Sequence, residues 1–306
     1  MTLEQNETAL TASFDGTEIF RYVYKPADAQ LEAPRPYLHP VRTLGGDIVS
    51  RYRPDDHVWH KGISLSLPHV GSHNFWGGPT WRDGEYTELP NVGSMVHGSF
   101  ETAEVTDGVA RIGERLTWVP EDTSYAIFIE HRRIAATAWP SDKAWCLAFE
   151  TELANVSGED IVIGSPTTEG RPDAGYGGLF WRGPESFTGG TVLTPDGPGG
   201  DEVMGRRGPW LGFVGQHSTG QHDGTGGAST LVFRDHPENP RHPVQWFVRS
   251  TPFACVGPAP FFDTEYVFGA GAWLTLRYDI VIADGALDVD ECAAFAERAA
   301  GKDLLS

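Results

Sequence analysis

Short runs in which apolar and polar residues alternate make up most of the chain. In the segment GISLSLP, Ile63, Leu65 and Leu67 alternate with Ser64 and Ser66, and a period of two is typical of a strand with one buried face. Runs rich in apolar, aromatic and β-branched residues recur at 47–52, 99–105, 110–118, 124–134, 145–153, 160–163, 210–216, 230–234, 244–249, 261–268 and 273–283. The pattern predicts an all-β chain of roughly fifteen or more strands.

Turn and helix signals divide these runs. Asp15-Gly16 lies between two β-rich runs and predicts a hairpin over residues 10–24. Residues 71–98 are rich in Gly, Pro, Asn and Trp without periodicity, so we expect a long ordered loop there. Only the tail has a helical pattern. Asp288 and Glu291 have capping-box spacing and a glycine follows at 301, which predicts a helix over residues 288–301.

The number of strands favours one large two-sheet β-sandwich. It exceeds that of an immunoglobulin-sized unit, and the 37 glycines and 22 prolines favour many turns and few helices. We therefore predict a single domain over residues 1–306, with a sandwich core at 10–285 and a short C-terminal helix at 288–301.

Composition and charge narrow the class of partner. The chain has 23 basic and 42 acidic residues and a net charge of −19, so we expect no nucleic-acid partner, because phosphate backbones repel an acidic surface. No apolar run approaches the ~20 residues of a membrane-spanning helix, and the first ten residues lack the basic start and apolar core of a signal peptide. Cys146, Cys255 and Cys292 are scattered singly, which argues against a disulfide framework. These features predict a cytoplasmic protein without a membrane partner.

Histidines concentrate in residues 34–76, which hold five of the eleven in the chain. They are His39, His57, His60, His69 and His73. Neutral imidazole both donates and accepts protons near pH 7, and the interleaved Arg and Trp residues supply charged forks and flat apolar faces. We interpret this stretch as one wall of a site, with His57 and His60 as acid–base candidates on a loop before a strand.

Imidazoles are also metal ligands, which gives this stretch a second interpretation. His57 and His60 could hold a divalent metal ion if a turn brought them together, since residues three apart on extended backbone point to different sides. The third ligand would be His39, His73, Asp55 or Asp56. A third interpretation is that the rings are structural and pack on the neighbouring tryptophans. All three interpretations stay open at this point.

A second polar segment is the glycine-rich run at residues 165–184. Glu169 and Arg171 lie close to the aromatic Tyr176 and Trp181, a combination that suits a sugar ring stacked on a flat face with its hydroxyls on charged groups. The alternative is an ordinary surface salt bridge. The run has neither a GxGxxG spacing nor a P-loop lysine, so we expect no nucleotide cofactor.

Several motifs resemble one known family. The runs RPYLHPVRT, DDHVWHKG and SHNFWGG, together with SPTTEGRPDAGYGGLFWRGP, TPFACVGPAPFF and WLTLRYDIVIADG, resemble a bacterial family of unknown function labelled "methane oxygenase PmoA-like". They cover most of the chain between residues 34 and 285. The resemblance implies a soluble β-rich protein, and relatives of this kind tend to be encoded near sugar dehydrogenases, which implies carbohydrate chemistry.

The closing strand, GAGAWLTLRYDIVI, is similar to the end of galactose mutarotase-type supersandwiches. That similarity implies a carboxylate base near the end of the chain and a histidine that donates to the sugar ring oxygen. Glu265, in the run FFDTEYVF, is the candidate for this base. An exposed position on an edge strand is the alternative for Glu265.

We expect a sugar-directed enzyme using His and carboxylate acid–base chemistry, namely an isomerase, epimerase, lyase or hydrolase of a monosaccharide derivative. The candidate catalytic residues are His57, His60, Glu169 and Glu265, and the candidate substrate-binding residues are His39, Arg42, His73, Trp76, Arg171, Tyr176 and Trp181. We expect residues 39–73 and 169–181 to meet in one pocket, with no cofactor. A homo-oligomer is compatible with this hypothesis. The alternatives are a non-catalytic carbohydrate-binding protein and an oxygenase or hydrolase whose metal ion lies on His57, His60 and His73.

Overall fold

The alternating runs form antiparallel strands throughout the chain. The computed structural model describes residues 1–218, 227–301, 304 and 305. The strands in these residues are β1 (Thr2–Gln5), β2 (Ala9–Phe14), β3 (Thr17–Val23), β4 (Tyr37–Val41), β5 (Ile63–Ser66), β6 (His69–Val70), β7 (Thr80–Arg82), β8 (Glu85–Thr87), β9 (Ser94–Thr106), β10 (Val109–Val119), β11 (Phe128–Trp139), β12 (Ala144–Asn155), β13 (Ile161–Gly164), β14 (Gly178–Arg182), β15 (Thr191–Thr194), β16 (Gly197–Gly199), β17 (Trp210–Gln216), β18 (Ala228–Asp235), β19 (Gln245–Arg249), β20 (Cys255–Ala259), β21 (Tyr266–Phe268) and β22 (Trp273–Asp284). One α-helix, α1 (Val289–Ala300), follows them.

Two large sheets contain most of these strands. The eight-stranded sheet has the order β1-β2-β3-β4-β5-β14-β20-β19, and the nine-stranded sheet has the order β16-β15-β17-β18-β22-β12-β11-β10-β9. The remaining strands form two small sheets, β21-β13-β6 and β7-β8. The order β5-β14-β20-β19 places strands next to each other that are far apart in the sequence, and this part of the sheet carries the site described below.

The main core lies between the two sheets. Successive residues of a strand point to opposite faces, so one set from each sheet meets in the middle. Leu65 and Trp181 from the eight-stranded sheet and Phe149, Phe233 and Ile280 from the nine-stranded sheet are all buried in one apolar cluster. Burying side chains of this size contributes about 1.5–3 kcal/mol each relative to leaving them in water.

The outer faces of the two sheets are covered differently. Helix α1 packs Cys292, Phe295 and Ala299 against the outer face of the nine-stranded sheet. The outer face of the eight-stranded sheet instead has a separate aromatic cluster that includes Trp76 and Phe180. This second face is covered by loops, and loops on a rigid sheet are a usual location for a binding site.

The predicted fold class is confirmed: the described residues form an all-β two-sheet sandwich with one C-terminal helix. Helix α1 begins after Asp288, whose side chain accepts from the Glu291 amide in the predicted capping box. Strands β2 and β3 form the predicted hairpin, with Asp15 and Gly16 at positive φ. In the described ranges no helix is long and apolar enough to cross a membrane.

Three local predictions are wrong. Residues 261–268 were expected to be one strand, but only Tyr266–Phe268 form a strand, β21. Residues 47–52 were expected to be a strand, but they make only the isolated bridges Arg42–Ile48 and Tyr52–Lys61. Residues 71–98 were expected to be one loop, but they contain the β7–β8 hairpin and the start of β9. The hairpin turns at Gly84, where φ is +90°, a conformation that only glycine adopts at low cost.

Candidate functional site

A cavity of about 450 Å³ opens on the outer face of the eight-stranded sheet. Phe180 of β14 and Phe247 of β19 lie on the sheet side of the cavity, and Trp59, Trp76 and Phe253 come from loops around it. This volume is within the range of ~300–1,000 Å³ that is typical of small-molecule pockets. The aromatic lining offers flat apolar faces to a ligand.

Strand alternation decides which residues of β14 reach the cavity. Phe180 and Arg182 point outward, so Trp181 between them points into the main core. Trp181 is fully buried there, its Nε1 donates to the Val49 carbonyl at 2.7 Å, and its ring contacts Phe213. The prediction that Trp181 forms a stacking floor is therefore wrong, and Phe180 occupies that place.

His57 and His60 are stacked side by side in the cavity wall. Their ring centroids are 4.6 Å apart and the planes differ by 14°. A tight turn causes this, because the His60 amide donates to the His57 carbonyl at 2.9 Å and reverses the chain between them. Both rings line the cavity, which places the two predicted acid–base candidates together.

The turn that carries the histidines is held at its base by ion pairs to the buried Glu32. Glu32 accepts from both Nε and Nη2 of Arg53 at 2.8 Å, and it also accepts from the fully buried Lys61. Arg35, likewise buried, donates to the Trp59 carbonyl at 2.7 Å. Because residues 53 and 61 flank the turn, these bonds fix the positions of the histidine rings.

Asp56 and Arg182 give the two histidines different protonation patterns. Nδ1 of His57 lies 2.9 Å from Oδ2 of Asp56, and a carboxylate accepts, so Nδ1 carries the proton and Nε2 of neutral His57 is an acceptor. Nη1 of Arg182 lies 3.1 Å from Nδ1 of His60. A guanidinium only donates, so Nδ1 of His60 accepts and its proton is on Nε2.

The environment of His60 keeps its ring neutral. Burial lowers the pKa of His60 well below 6.5, and a positive charge on His57, when that ring is protonated, or on Arg182 lowers it further. Arg182 itself lies over the Phe253 ring at 3.7 Å and donates to both oxygens of Asp56 at 3.2 Å. His60 is therefore a fixed N–H donor at neutral pH.

Trp59 packs on a glycine pair from the run NFWGG. Gly77 and Gly78 have φ of +98° and +68°, and a Cβ at Gly78 would lie within 2.7 Å of the Trp59 ring. The side chain of Asn74 accepts from the Trp76 and Gly77 amides at 2.8 and 3.0 Å. These contacts explain why the HVWHKG and NFWGG runs occur together: they form one packed unit.

The glycine-rich segment supplies the opposite wall. Arg171 lies over the rings of Trp81 and Tyr86, at 5.6 and 4.9 Å from their centroids, and its Nη1 donates to the Tyr86 hydroxyl at 2.8 Å. The hydroxyls of Tyr86 and Tyr176 are 2.9 Å apart, and Tyr176 contacts Trp76 at 4.5 Å between ring centroids. The middle parts of the two expected segments, residues 57–60 and 171–180, thus meet in one cavity, while the residues at their ends do not line it.

Besides Trp181, five predicted site residues do not line this cavity. Nδ1 of His39 lies 2.9 Å from Oγ of Ser50, and the His39 ring stacks on Tyr52. Arg42 uses its side chain to hold the Gly46 carbonyl at 3.1 Å. These positions lie on or after β4, beyond β5 in the sheet order, which separates them from the cavity on β14 and β19.

The other three predicted residues outside the cavity are His73, Glu169 and Glu265. Nδ1 of His73 lies 3.7 Å from a carboxylate oxygen of Asp122. Glu169 is exposed, and it contributes its carbonyl, which accepts from Trp81. Glu265 is also exposed, and its carbonyl accepts from Arg241 at 2.7 Å. Neither predicted carboxylate lies in the wall of the cavity.

The metal alternative requires three ligands around one point. His73 is not among the residues that line the cavity with His57 and His60. Across the described part of the chain, no group of three His, Cys, Asp or Glu side chains is arranged to hold a metal ion. The His57, His60 and His73 site is therefore not assembled in this structure.

Most of the other lining residues are not among those predicted from the sequence, and four of them come from β19 and the turn after it. Arg249 follows Phe247 on β19, and Pro252 and Phe253 lie on the next turn. They reach the cavity because β19 pairs with β20, and β20 pairs with β14. No local motif marks them, since this pairing joins segments about seventy residues apart in the sequence.

A second hollow, of about 540 Å³, lies on the nine-stranded sheet near the end of α1. Its charged residues already neutralise one another. Arg234 pairs with Asp279 at 2.6 Å, and Arg277 pairs with Glu238 at 2.8 Å. The aromatic cavity is the better candidate, because its charged groups are not satisfied in this way.

Comparison with known proteins identifies the family. A family described as of unknown function, DUF6807, matches residues 9–297. The chain belongs to this family. Its description names no activity, so the methane oxygenase label finds no support there. No curated protein matches the chain in sequence.

Solved structures give distant similarities. The galactosidase domain of an α-galactosidase–sucrose kinase is 8% identical, with a TM-score of 0.43 over 93% of this chain and 42% of that one. A GH36 α-galactosidase from Geobacillus stearothermophilus is 8% identical, with a TM-score of 0.40 over 97% and 42%. A galactose mutarotase related enzyme from Lactobacillus acidophilus is 10% identical, with a TM-score of 0.39 over 94% and 99%. The chain spans about two fifths of the galactosidase chains, and these likenesses carry no argument about activity.

Proposed function

We propose that the cavity binds a monosaccharide derivative and catalyses proton transfer next to its carbonyl group, as an isomerase, epimerase or lyase does. The observation that carries this proposal is the stacked pair of histidines with opposite protonation patterns. One ring has a free acceptor nitrogen and the other has a free N–H donor. Acid–base catalysis needs both groups within reach of one substrate.

His57 is the proposed base. Its Nδ1–H is held by Asp56 at 2.9 Å, so Nε2 accepts a proton from the C–H bond beside the substrate carbonyl. The negative charge of Asp56 then stabilises the imidazolium that forms. A carboxylate in this position orients the ring and does not itself take the proton.

His60 is the proposed donor to the carbonyl oxygen. As the C–H bond breaks, negative charge builds on that oxygen, and the Nε2–H of His60 donates to it. Nη1 of Arg182 donates to Nδ1 of His60 at 3.1 Å. The proton of the neutral ring therefore stays on Nε2. A fixed donor of this kind is worth more in an aromatic cavity than in water, since the local dielectric is low.

The walls suit a sugar ring. Trp59, Trp76 and Phe253 present flat faces, on which the apolar face of a pyranose can stack while its hydroxyls meet polar groups. In the part of the chain that the structure describes, no Asp or Glu lines the cavity. Glycoside hydrolysis commonly uses two carboxylates that flank the scissile bond, so the hydrolase part of the original hypothesis has less support than proton transfer.

The test is hydrogen exchange in D₂O, followed by NMR for a panel of aldoses, ketoses, uronates and keto sugars. We expect one of them to exchange or rearrange with the wild type. His57→Gln and His60→Gln should still bind it within about tenfold of wild type, a loss under ~1.4 kcal/mol. At least one should reduce turnover by ~10²-fold or more, the usual contribution of a general acid or base. His131→Gln, on β11 of the other sheet, is the matched control.

Two results would contradict the proposal in different ways. A sugar that binds tightly and stays chemically unchanged would favour a carbohydrate-binding protein on the same fold. A sugar that is transformed equally well by both histidine variants would show that the catalytic wall is elsewhere.

A further inference from the structure

Two arginines give the cavity a charge that contrasts with the rest of the chain. The protein carries a net charge of −19, yet Arg171 and Arg249 line the cavity, and no carboxylate of the described residues does. We propose that the ligand is a sugar acid, whose carboxylate is bound by Arg171 and Arg249. This inference rests on the proposed function, because it names the substrate class of the same site.

Arg171 is built to receive an anion. Its guanidinium lies over the Trp81 and Tyr86 rings, which hold its plane in place. Only Nη1 donates within the described residues, to the Tyr86 hydroxyl at 2.8 Å, which leaves the remaining N–H groups for a ligand. Because stacking fixes the side chain in advance, little rotamer entropy is lost when the anion binds.

Arg249 approaches from the other strand. It lies over the Phe247 ring at 5.6 Å, and Nη2 donates to the Asp173 carbonyl at 3.3 Å. Arg249 also borders a neighbouring hollow lined by Asp173, Asp201 and Glu202. The Asp201 carboxylate accepts from Ser250 and Thr251, and among the described residues no carboxylate oxygen forms an ion pair with Arg249.

The geometry favours a carboxylate over a phosphate. Two planar guanidinium forks can make paired hydrogen bonds to a carboxylate or to a phosphate, so the arginines alone do not choose between them. Phosphate sites usually add backbone N–H groups from a helix N-terminus or a glycine nest. Helix α1 lies on the opposite sheet, so no α-helix of the described residues offers its N-terminus here.

The test compares the affinity of sugar acids with that of neutral sugars and of a sugar phosphate. D-Glucuronate, D-galacturonate and D-gluconate are titrated beside D-glucose, methyl D-glucuronate ester and D-glucose 6-phosphate, by calorimetry on the full chain. We expect at least one sugar acid to bind with a Kd below about 1 mM and ~10-fold or more tighter than its neutral counterpart. Added salt should weaken only the charged ligand.

Arginine variants distinguish binding by the two cavity arginines from the effect of the protein's overall charge. Arg171→Gln and Arg249→Gln should each weaken the sugar acid by ~10-fold or more and change neutral sugars by less than ~3-fold. Arg115→Gln removes the same charge from an exposed position on β10 of the other sheet, and it should leave both affinities unchanged.

Each outcome bears on one of the two proposals. If all sugar acids fail to bind, bind no better than their neutral forms, or bind more weakly than the phosphate, the inference is overturned. Hydrogen exchange on a neutral sugar would then leave the proposed function standing. Selective binding of a sugar acid that depends on both arginines, without exchange or rearrangement, would support the inference and overturn the proposed function.

Discussion

Asp56 connects the two histidines of the cavity, because one carboxylate accepts from both His57 and Arg182. It does not line the cavity, so it acts through His57 as a positioning residue. Arg182 in turn fixes the proton of His60. The opposite protonation of two neighbouring imidazoles is thus set by a single ion pair behind them.

Replacing Asp56 should reduce catalysis without reducing binding. In Asp56→Asn, the amide can accept from or donate to His57, so the ring loses its preference for Nδ1–H. We expect kcat for hydrogen exchange to fall by ~10-fold or more, with KM changed by less than ~3-fold. Asp55→Asn is the control, since Asp55 is exposed and next to Asp56 in sequence. If kcat/KM instead fell by ~10-fold because KM rose while kcat stayed unchanged, Asp56 would be assigned to substrate binding.

At this scale the sequence identified some residues and missed others for a clear reason. His57 and His60 were recognisable because their short spacing in a run of Trp, Asp and Lys is chemically unusual. The sequence does not show which of Phe180 and Trp181 faces the cavity and which faces the core, since this depends on the strand register. Glu169 and Glu265 failed because their carbonyls, not their carboxylates, make the tertiary contacts.

At the scale of elements, one packed unit joins the histidine turn to the following loop. The Trp59 ring lies on the backbone of Gly77 and Gly78, so the turn at residues 53–60 and the loop at 74–79 cannot move independently. Trp59 is also part of the cavity wall. A change at either glycine therefore reaches the ligand through Trp59.

Gly78→Ala should damage both stability and ligand binding. Its φ is +68° and the new Cβ would lie 2.6 Å from Trp59, so the indole must move. Gly84→Ala is the matched control, because its φ is +90° but nothing lies within 4 Å of the new Cβ. We expect Gly84→Ala to cost about 1–2 kcal/mol of unfolding free energy from backbone strain alone, with normal ligand affinity. Gly78→Ala should cost more and weaken the ligand, as measured by urea unfolding and calorimetry. Identical behaviour of the two variants would contradict the packing argument.

The elements themselves were predictable where local signals agree. Asp15-Gly16 and the Asp288–Glu291 capping box specify their turn and helix start without help from distant residues. Residues 47–52 do not form the expected strand, because a strand needs the unpaired edge of a neighbouring strand. Both edges of β4 are already paired, one with β3 and the other with β5. The cavity needed the order β5-β14-β20-β19, which no local pattern encodes.

At the scale of the whole molecule, a network of paired charges is buried between the two sheets. Arg132 donates to Glu130 at 2.7 and 3.0 Å and to the Tyr22 hydroxyl at 3.2 Å, between the two sheets. Glu114 accepts from Tyr22, and its other oxygen lies 2.6 Å from Nδ1 of His97. Removing one partner would leave an uncompensated charge in the core, which commonly costs about 3–5 kcal/mol.

Histidines buried without a charged partner should make the whole fold sensitive to acid. Burial, followed by the charges of nearby arginines, lowers the pKa of His39 and of His69 to about 4. In the unfolded chain these side chains take up protons at about pH 6.5, while in the folded protein they stay neutral until about pH 4. Their contribution to stability is therefore complete above pH 6.5 and is lost as the pH falls towards 4.

We expect the free energy of unfolding to fall between pH 6.5 and 4 by up to ~1.4 kcal/mol per pH unit for each such histidine. Urea unfolding at pH 7.5, 6, 5 and 4.5 measures this slope. His69 is the better test, because its Nε2 is buried without a hydrogen-bond partner in the described structure, and His69→Gln should flatten the slope by the share of one histidine. The comparison at pH 7.5 controls for packing, since neither form takes up protons there on unfolding. A slope that is unchanged in His69→Gln would show that this ring is charged or solvated in the folded protein.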